Sequence, residues 1–361
     1  MSRQKNNAVK GDKASTQARS VRRPTIRDVC RLAGVSRMTV SRVIRELDLV
    51  LPATQARVNK AIADLGYVPD RAAGSLSSRR TGFIALILPT LTNTGFAAVA
   101  HGLTEALRKA DYHLLIAYTD YSLGEEERQM RNLLARRPEA IVLTGAMHRR
   151  SASRMLLAAH IPVIEIADLP RHPIEHVVGF SNYEAGRTAA RYLIKKGFKR
   201  IGAIASSNEG DVVDQRGEER MRGFEDELRY SGMTTDLILR HGKAPVSFDH
   251  GVAMTSILLE REPKIEAVFA VSDLSAVGVV TECQRRGVNV PGDLSIMGFG
   301  DFEIGRVINP ALTTIHVNFR ALGQRTGDLI LGLLSDGAGD TPELIDVGLE
   351  VVERASVGSL A

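Results

Sequence analysis

The chain has 361 residues, 44% hydrophobic and 25% charged, with 47 Lys and Arg against 42 Asp and Glu. That balance belongs to folded globular domains and excludes a wholly disordered or fibrous chain. No apolar run approaches the ~20 residues of a membrane span, and the first residues lack the apolar core of a signal peptide, so a cytoplasmic location with no membrane partner is expected.

Residues 1–23 carry seven Lys or Arg against one acid, Asp12, and almost nothing to bury. A disordered basic tail is predicted, serving either non-specific phosphate contacts or solubility alone. Cys30 and Cys283 each fall in a helical pattern. Two cysteines so placed suit neither a disulfide framework nor a metal site, and reduced thiols fit the cytoplasm. No metal or cofactor is expected.

Residues 24–67 read as a small three-helix head. In the first helix Ile26, Val29 and Leu32 recur at helical spacing. Gly34 supplies the tight turn, and Ser36 or a neighbour caps the second helix. There Val40, Val43 and Ile44 face inward, leaving Arg37, Met38, Ser41 and Arg42 outward. A third helix over Thr54–Leu65 completes the head. A helix with Arg outward on a helix-turn-helix is built to lie in a DNA major groove.

Pro69 marks a boundary, because the residue before a proline disfavours helix. Residues 68–80 form a hinge, basic at both ends, with Leu76 as its one large apolar side chain. Alone the hinge is too short to be a stable helix in water. As a helix formed on DNA it would set Leu76 as a wedge in the minor groove; as a plain linker it would pack Leu76 on the head.

From Thr81 short apolar runs alternate with helical stretches. The runs are Phe83–Leu88, Leu114–Tyr118, Ala140–Leu143, Val163–Ile166, Ile201–Ala205, Ala267–Val271 and Ser295–Phe299. Helices are expected near 96–110, 124–137, 151–160, 184–197, 217–232, 249–261, 274–286 and 319–334. This alternation predicts an α/β unit with parallel sheets, in two doubly wound lobes around a cleft. The expected division is about 81–180 with 316–339, and about 181–315 with 340–361.

These segments together resemble the LacI/GalR family of bacterial transcription repressors. The resemblance rests on TIRDVCRLAGVSRMTVSRVI in the head, LGYVP before the hinge and AAGSL within it. In the sensor it rests on VSDLSAVG at 271–278, RRGVNVPGDLSIMGFGD at 285–301 and NPALTTIHVNFRALGQ at 309–324. LILPTLTNTGFA at 86–97, LTGAMH at 143–148, PVIEIAD at 162–168 and VGFSNYEAGR at 178–187 look closer to the gluconate-type repressors. The resemblance implies a helix-turn-helix head joined by a hinge to a two-subdomain sensor like a periplasmic sugar-binding protein. It implies a homodimer on a pseudo-palindromic double-stranded operator, controlled by a small sugar or sugar acid such as gluconate or a ketogluconate.

Roles follow position by position. Arg37, Met38 and Arg42 match base-contacting positions of the family, and an Arg pairing with guanine contributes about 1–3 kcal/mol of discrimination. Thr25, Ser36, Thr39 and Ser41 read as phosphate or capping groups. Leu76 matches the family's intercalating leucine. In the sensor, Asn93 and Phe96 follow the first strand, where the family lines its cleft. Arg216 and Arg220, one helical turn apart, suit a carboxylate or phosphate. Asp273 matches a cleft acid and also reads as a helix N-cap. His148, Glu165 and Asp168 are weaker effector candidates. Lone histidines are more often structural, and Glu165 in its apolar strand has solvent as an alternative. Many sugar-binding members carry an acid where this chain has Gly300. Its loss removes a like charge from the path of an acidic ligand.

Three other readings stay open. A neutral sugar or a phosphoprotein co-repressor could control the same regulator. A sugar-acid enzyme would need machinery that is missing here: no Gly-rich phosphate loop, zinc spacing or nucleophile elbow is present. A transport protein would need the missing leader.

Overall fold

The computed structural model describes residues 22–44, 49–69, 81–336 and 341–359. They fall into two compact units divided between Arg79 and Arg80. Residues 1–21 of the basic tail and 70–80 of the hinge, with Leu76, lie outside the described residues.

The head has three helices, α1 (Ile26–Ala33), α2 (Arg37–Ile44) and α3 (Pro52–Leu65). Its core is Val29, Ala33, Val40, Val43, Val58 and Ala61, with Ile26, Cys30 and Ile44 packed against it. Gly34 turns the chain at φ 65°, and the Val35 amide donates back to the Cys30 carbonyl at 3.2 Å. The Thr39 amide donates to the Ser36 hydroxyl at 3.2 Å, which starts α2. Leu32 was expected inward, yet it is 55% exposed. Val29 and Ala33, four apart, take the core-facing line and leave Leu32 on the flank. The third helix starts at Pro52, two residues before the expectation, since proline is favoured in the first helical turn.

The second unit has two lobes. In the first, strands β1 (Phe83–Leu88), β2 (His113–Tyr118), β3 (Ala140–Thr144), β4 (Val163–Ile166) and β5 (His176–Gly179) form a parallel sheet. Helices α4 (Thr94–Arg108), α5 (Leu123–Leu134) and α6 (Arg150–Ala159) connect them. The second lobe begins with α7 (Asn182–Lys195). Its strands are β6 (Ile201–Ala205), β7 (Ile238–Arg240), β8 (Ala267–Ala270), β9 (Ser295–Gly300) and β10 (Thr313–His316). Between them run α8 (Gln215–Tyr230), α9 (Phe248–Arg261), α10 (Asp273–Arg286) and α11 (Glu303–Val307). The chain returns to the first lobe through α12 (Phe319–Asp336), which packs on α4.

The last two strands divide between the lobes. β11 (Leu344–Asp346) pairs with β5 in parallel, and β12 (Glu350–Val352) pairs with β10 antiparallel. The expectation that all of 340–361 joins the second lobe is therefore corrected. A parallel edge on β5 is left open for β11, and three residues of loop carry the chain across. Helices cover both faces of each sheet, which accounts for the unbroken apolar runs.

Two contacts hold the second lobe's side of the cleft. Helices α7 and α8 meet at glycines: a Cβ on Gly186 would lie 1.9 Å from the Arg220 carbonyl oxygen, and one on Gly223 would lie 2.0 Å from that of Tyr183. Asp273, expected as a cleft ligand or N-cap, is neither. Ser272 caps α10, accepting from the Leu274 amide. Asp273 is fully buried, and its carboxylate accepts from the Phe302 amide at 2.7 Å and the Thr314 hydroxyl at 2.6 Å. It ties α10 to the segment after β9 and to β10. Burial pushes its carboxyl up to about 7, despite these two donors.

Gly186→Ala is expected to cost about 1–3 kcal/mol as the helices are forced apart, read as a fall in Tm. Gly332→Ala on α12, where a Cβ meets open space, serves as the neutral control. Asp273→Ala leaves two buried donors unpaired, at about 1–3 kcal/mol each. Asp273→Asn keeps one acceptor and costs less. The folded-state carboxyl sits above its unfolded value of 3.8. Folding stability therefore falls as pH rises from about 3.8 to about 7, where the unfolded state has lost this proton and the folded state still holds it. The Asn variant should gain stability relative to the parent between pH ~4 and ~7 and then level off, as measured by thermal melts across that range.

Candidate functional site

The carboxyl ends of the strands in both lobes face one cleft. Its inner cavity has about 570 Å³ of empty space, open solvent at the mouth included. The first lobe contributes Thr90, Asn93 and Phe96 after β1, Tyr121 after β2 and Phe180 after β5. The second contributes Asp214, Arg216 and Arg220 from the start of α8, with Phe299 and Phe302 at the end of β9.

Arg216 and Arg220 are 7% and 8% exposed, and among the described residues neither forms an ion pair. Arg216 lies over the rings of Phe96 at 5.0 Å and Tyr121 at 5.9 Å, and Arg220 lies over Phe299 at 4.2 Å. These ring faces replace part of the lost hydration. Arg220 Nη1 donates to Asn182 Oδ1. Among the described residues, Arg216 Nη1 and Arg220 Nε are buried without a hydrogen-bond partner. Burial draws the Arg220 guanidinium down to about 10, with Asp214 opposing, so it stays charged at neutral pH. Asp214 caps α8 by accepting from the Gly217 amide at 3.0 Å. Both arginines thus ride on a helix N-terminus, whose dipole adds to their positive potential. The site sets two buried guanidinium groups among aromatic walls.

Asn93 caps α4 through Oδ1, accepting from Gly95 at 2.8 Å. Gly300, where an acid was noted as missing, has φ 123°, and a Cβ there would lie 2.5 Å from the Phe302 ring. Phe302 fills that space instead.

Three further expectations are corrected beside that of Asp273. His148, Glu165 and Asp168 are absent from the inner wall. Glu165 is 1% exposed rather than solvated, and its Oε2 accepts from the Ile174 amide at 2.7 Å. His148 lies between two carboxylates, with Nδ1 2.7 Å from Glu126 Oε1 and Nε2 3.4 Å from Glu165 Oε1. Burial alone would depress its pKa, but the hydrogen bond to Glu126 and the adjacent Glu165 carboxylate carry it up to about 9. Asp168 Oδ1 accepts from the Leu169 amide and from Asn182 Nδ2 at 3.1 Å, so it touches Arg220 only through Asn182. Asn182, Tyr121, Asp214 and Phe302 were missed. Of these, Asp214 had a readable signal: an N-cap residue two before Arg216.

On the head, Arg37, Met38 and Arg42 are exposed along α2, with Met38 at 65%. Thr39 and Ser41 are half-buried. Thr25 gives both its amide and its hydroxyl to Asp28, which holds that carboxyl down to about 2, so Thr25 acts in the cap of α1.

Two family profiles match the chain: "Bacterial regulatory proteins, lacI family" over residues 25–70, and "Periplasmic binding protein-like domain" over 190–357. The HTH-type transcriptional regulator GntR of Pseudomonas aeruginosa is 33% identical over 348 residues, covering 96% of this chain and 99% of the relative. The regulator of the same name from Escherichia coli K12 is 29% identical over 336 residues, covering 93% and 99%. A crystal structure of a LacI family regulator from Silicibacter pomeroyi is 31% identical with a TM-score of 0.85, covering 93% of this chain and 99% of that one. The head that presents an arginine-bearing helix and the two-lobed sensor therefore make one protein, and the chain belongs to the lacI family of DNA-binding transcriptional regulators, which are not enzymes.

Proposed function

We propose that this regulator is a cytoplasmic repressor of genes for carbohydrate use, released or engaged by a hydroxylated carboxylic acid in the interlobe cleft. The observation that carries this reading is the pair of buried donor atoms without a hydrogen-bond partner among the described residues, Arg216 Nη1 and Arg220 Nε, in a cavity wall whose one acid is Asp214. A neutral sugar leaves such a pair uncompensated; a carboxylate accepts paired charged hydrogen bonds from it. Phe302 at the place of the missing acid supports the same preference. Gluconate and ketogluconates are the simplest acids of this kind.

On the DNA side, Arg37 and Arg42 read base edges, and Met38 gives an apolar contact. Two heads related by dimer symmetry face two half-sites of a pseudo-palindrome.

The effector reading is tested by thermal shift of the purified protein with gluconate, 2-ketogluconate, glucuronate and the matching neutral sugars. At a hundredfold excess over Kd, a bound acid adds about 2.7 kcal/mol, or roughly 5–10 °C in Tm. Arg220→Gln is expected to abolish the acid's shift while leaving the unliganded Tm equal or higher, because it removes a buried charge without a partner. A shift with a neutral sugar and none with any acid overturns the assignment. For the head, Arg37→Ala should weaken binding to the preferred operator by about 1–3 kcal/mol and change binding to unrelated DNA far less, measured at one fixed salt concentration.

A further inference from the structure

The inner cavity is not the whole cleft. Beyond Tyr121 and Arg216, which belong to the walls of both, lies a second chamber of about 420 Å³, mouth included. It opens at the carboxyl ends of β1, β2 and β3. The chemistry of its wall differs from that of the inner cavity. Thr119, Glu126 and Gln215 line it, with Ala146 and Met147 beside them, in place of the phenylalanines. A hydroxyl, a carboxylate and an amide are the groups that exchange hydrogen bonds with sugar hydroxyls.

Glu126 is prepared for this task. It is buried, and one oxygen is already held by His148. His148 in turn is held from its other side by Glu165. Arg216, whose Nη1 is buried without a partner, stands at the partition, within reach of a group in either chamber.

The second chamber also has a fixed width, because the lobes are fastened beside it. The Leu123 amide donates to the Asp211 carbonyl at 3.1 Å, and the Val213 amide donates to that of Tyr121 at 3.0 Å. The Asp211 carboxylate accepts from the Ser122 hydroxyl and the Gly124 amide, both at 2.7 Å, and from Arg149 at 2.6 Å. The two lobes are thus joined beside the chamber.

We infer that the cleft takes a disaccharide-sized sugar acid, with the carboxylate on Arg216 and Arg220, one sugar unit against the phenylalanines of the inner cavity, and the second unit in the chamber lined by Thr119, Glu126 and Gln215. This rests on the acid reading proposed above and adds the length of the ligand. Glu126 and Gln215 become specificity residues for the second unit.

The test compares two pairs of acids by calorimetric titration of the full chain: gluconate with cellobionate, and galacturonate with digalacturonate. In at least one pair the disaccharide acid is expected to bind tenfold tighter or more. Ala146→Leu, which fills the second chamber only, should remove that preference while changing the monosaccharide acid's affinity less than twofold. Gln215→Leu is the second variant, should Ala146→Leu fail to fold, and a melt of each unliganded variant checks folding. Monosaccharide acids binding as tightly as their longer partners in both pairs overturn the inference and leave the acid reading standing. A length preference that survives both variants also overturns it. Failure of every acid, short and long, sinks both readings together.

Discussion

Two guanidinium groups are buried on the first turns of one helix, and among the described residues neither is ion-paired; the proposed reading of the cleft depends on this pair. A buried charge without a partner is costly, and the fold meets only part of that cost through ring faces, Asn182 and the nearby Asp214. On the reading proposed above, the rest is left for a ligand to supply, and an anion that brings two acceptor oxygens supplies it where a neutral ligand of equal size does not.

The scaffold keeps this arrangement from relaxing. α8 cannot drift from α7, because backbone meets backbone at Gly186 and Gly223 with no side chain between. Asn182, on the facing helix, holds Arg220 and is itself held by Asp168. On the same side of the cleft, Asp273 ties α10 to the segment that carries Phe302 and to β10. Four of the side chains first read as ligands or bystanders are therefore supports. His148 and Glu165 hold Glu126, Asp168 holds Asn182, and Asp273 holds the wall. A ligand that engages residues of both lobes changes their balance of free energy, and coupling of about 1–3 kcal/mol to DNA binding is typical of such regulators.

Much of this was legible in the chain. The head follows from the apolar spacing, because a helix with Val40 and Val43 buried must turn Arg37 and Arg42 outward. The parallel lobes follow from unbroken apolar runs between helices. Arg216 and Arg220 were picked out by the family positions they match, and both line the cleft. Helix starts were read one or two residues late, since Asn93, Ser122, Ser181, Ser247 and Ser272 cap them with polar side chains that an apolar pattern ignores. β5, β7, β10, β11 and β12 span three or four residues, too few for a period to show. The carboxylates were hardest. Asp273 meets donors 29 and 41 residues away, and nothing local distinguishes a ligand contact from a tie within the core.

The most direct test is operator affinity at one salt concentration, measured by fluorescence anisotropy on the tightest site selected from a random DNA pool. Gluconate and cellobionate are compared with glucose and cellobiose. The account expects at least one acid to change affinity by roughly 5- to 150-fold while both neutral sugars leave it unchanged. A neutral sugar that changes affinity while neither acid does would contradict it.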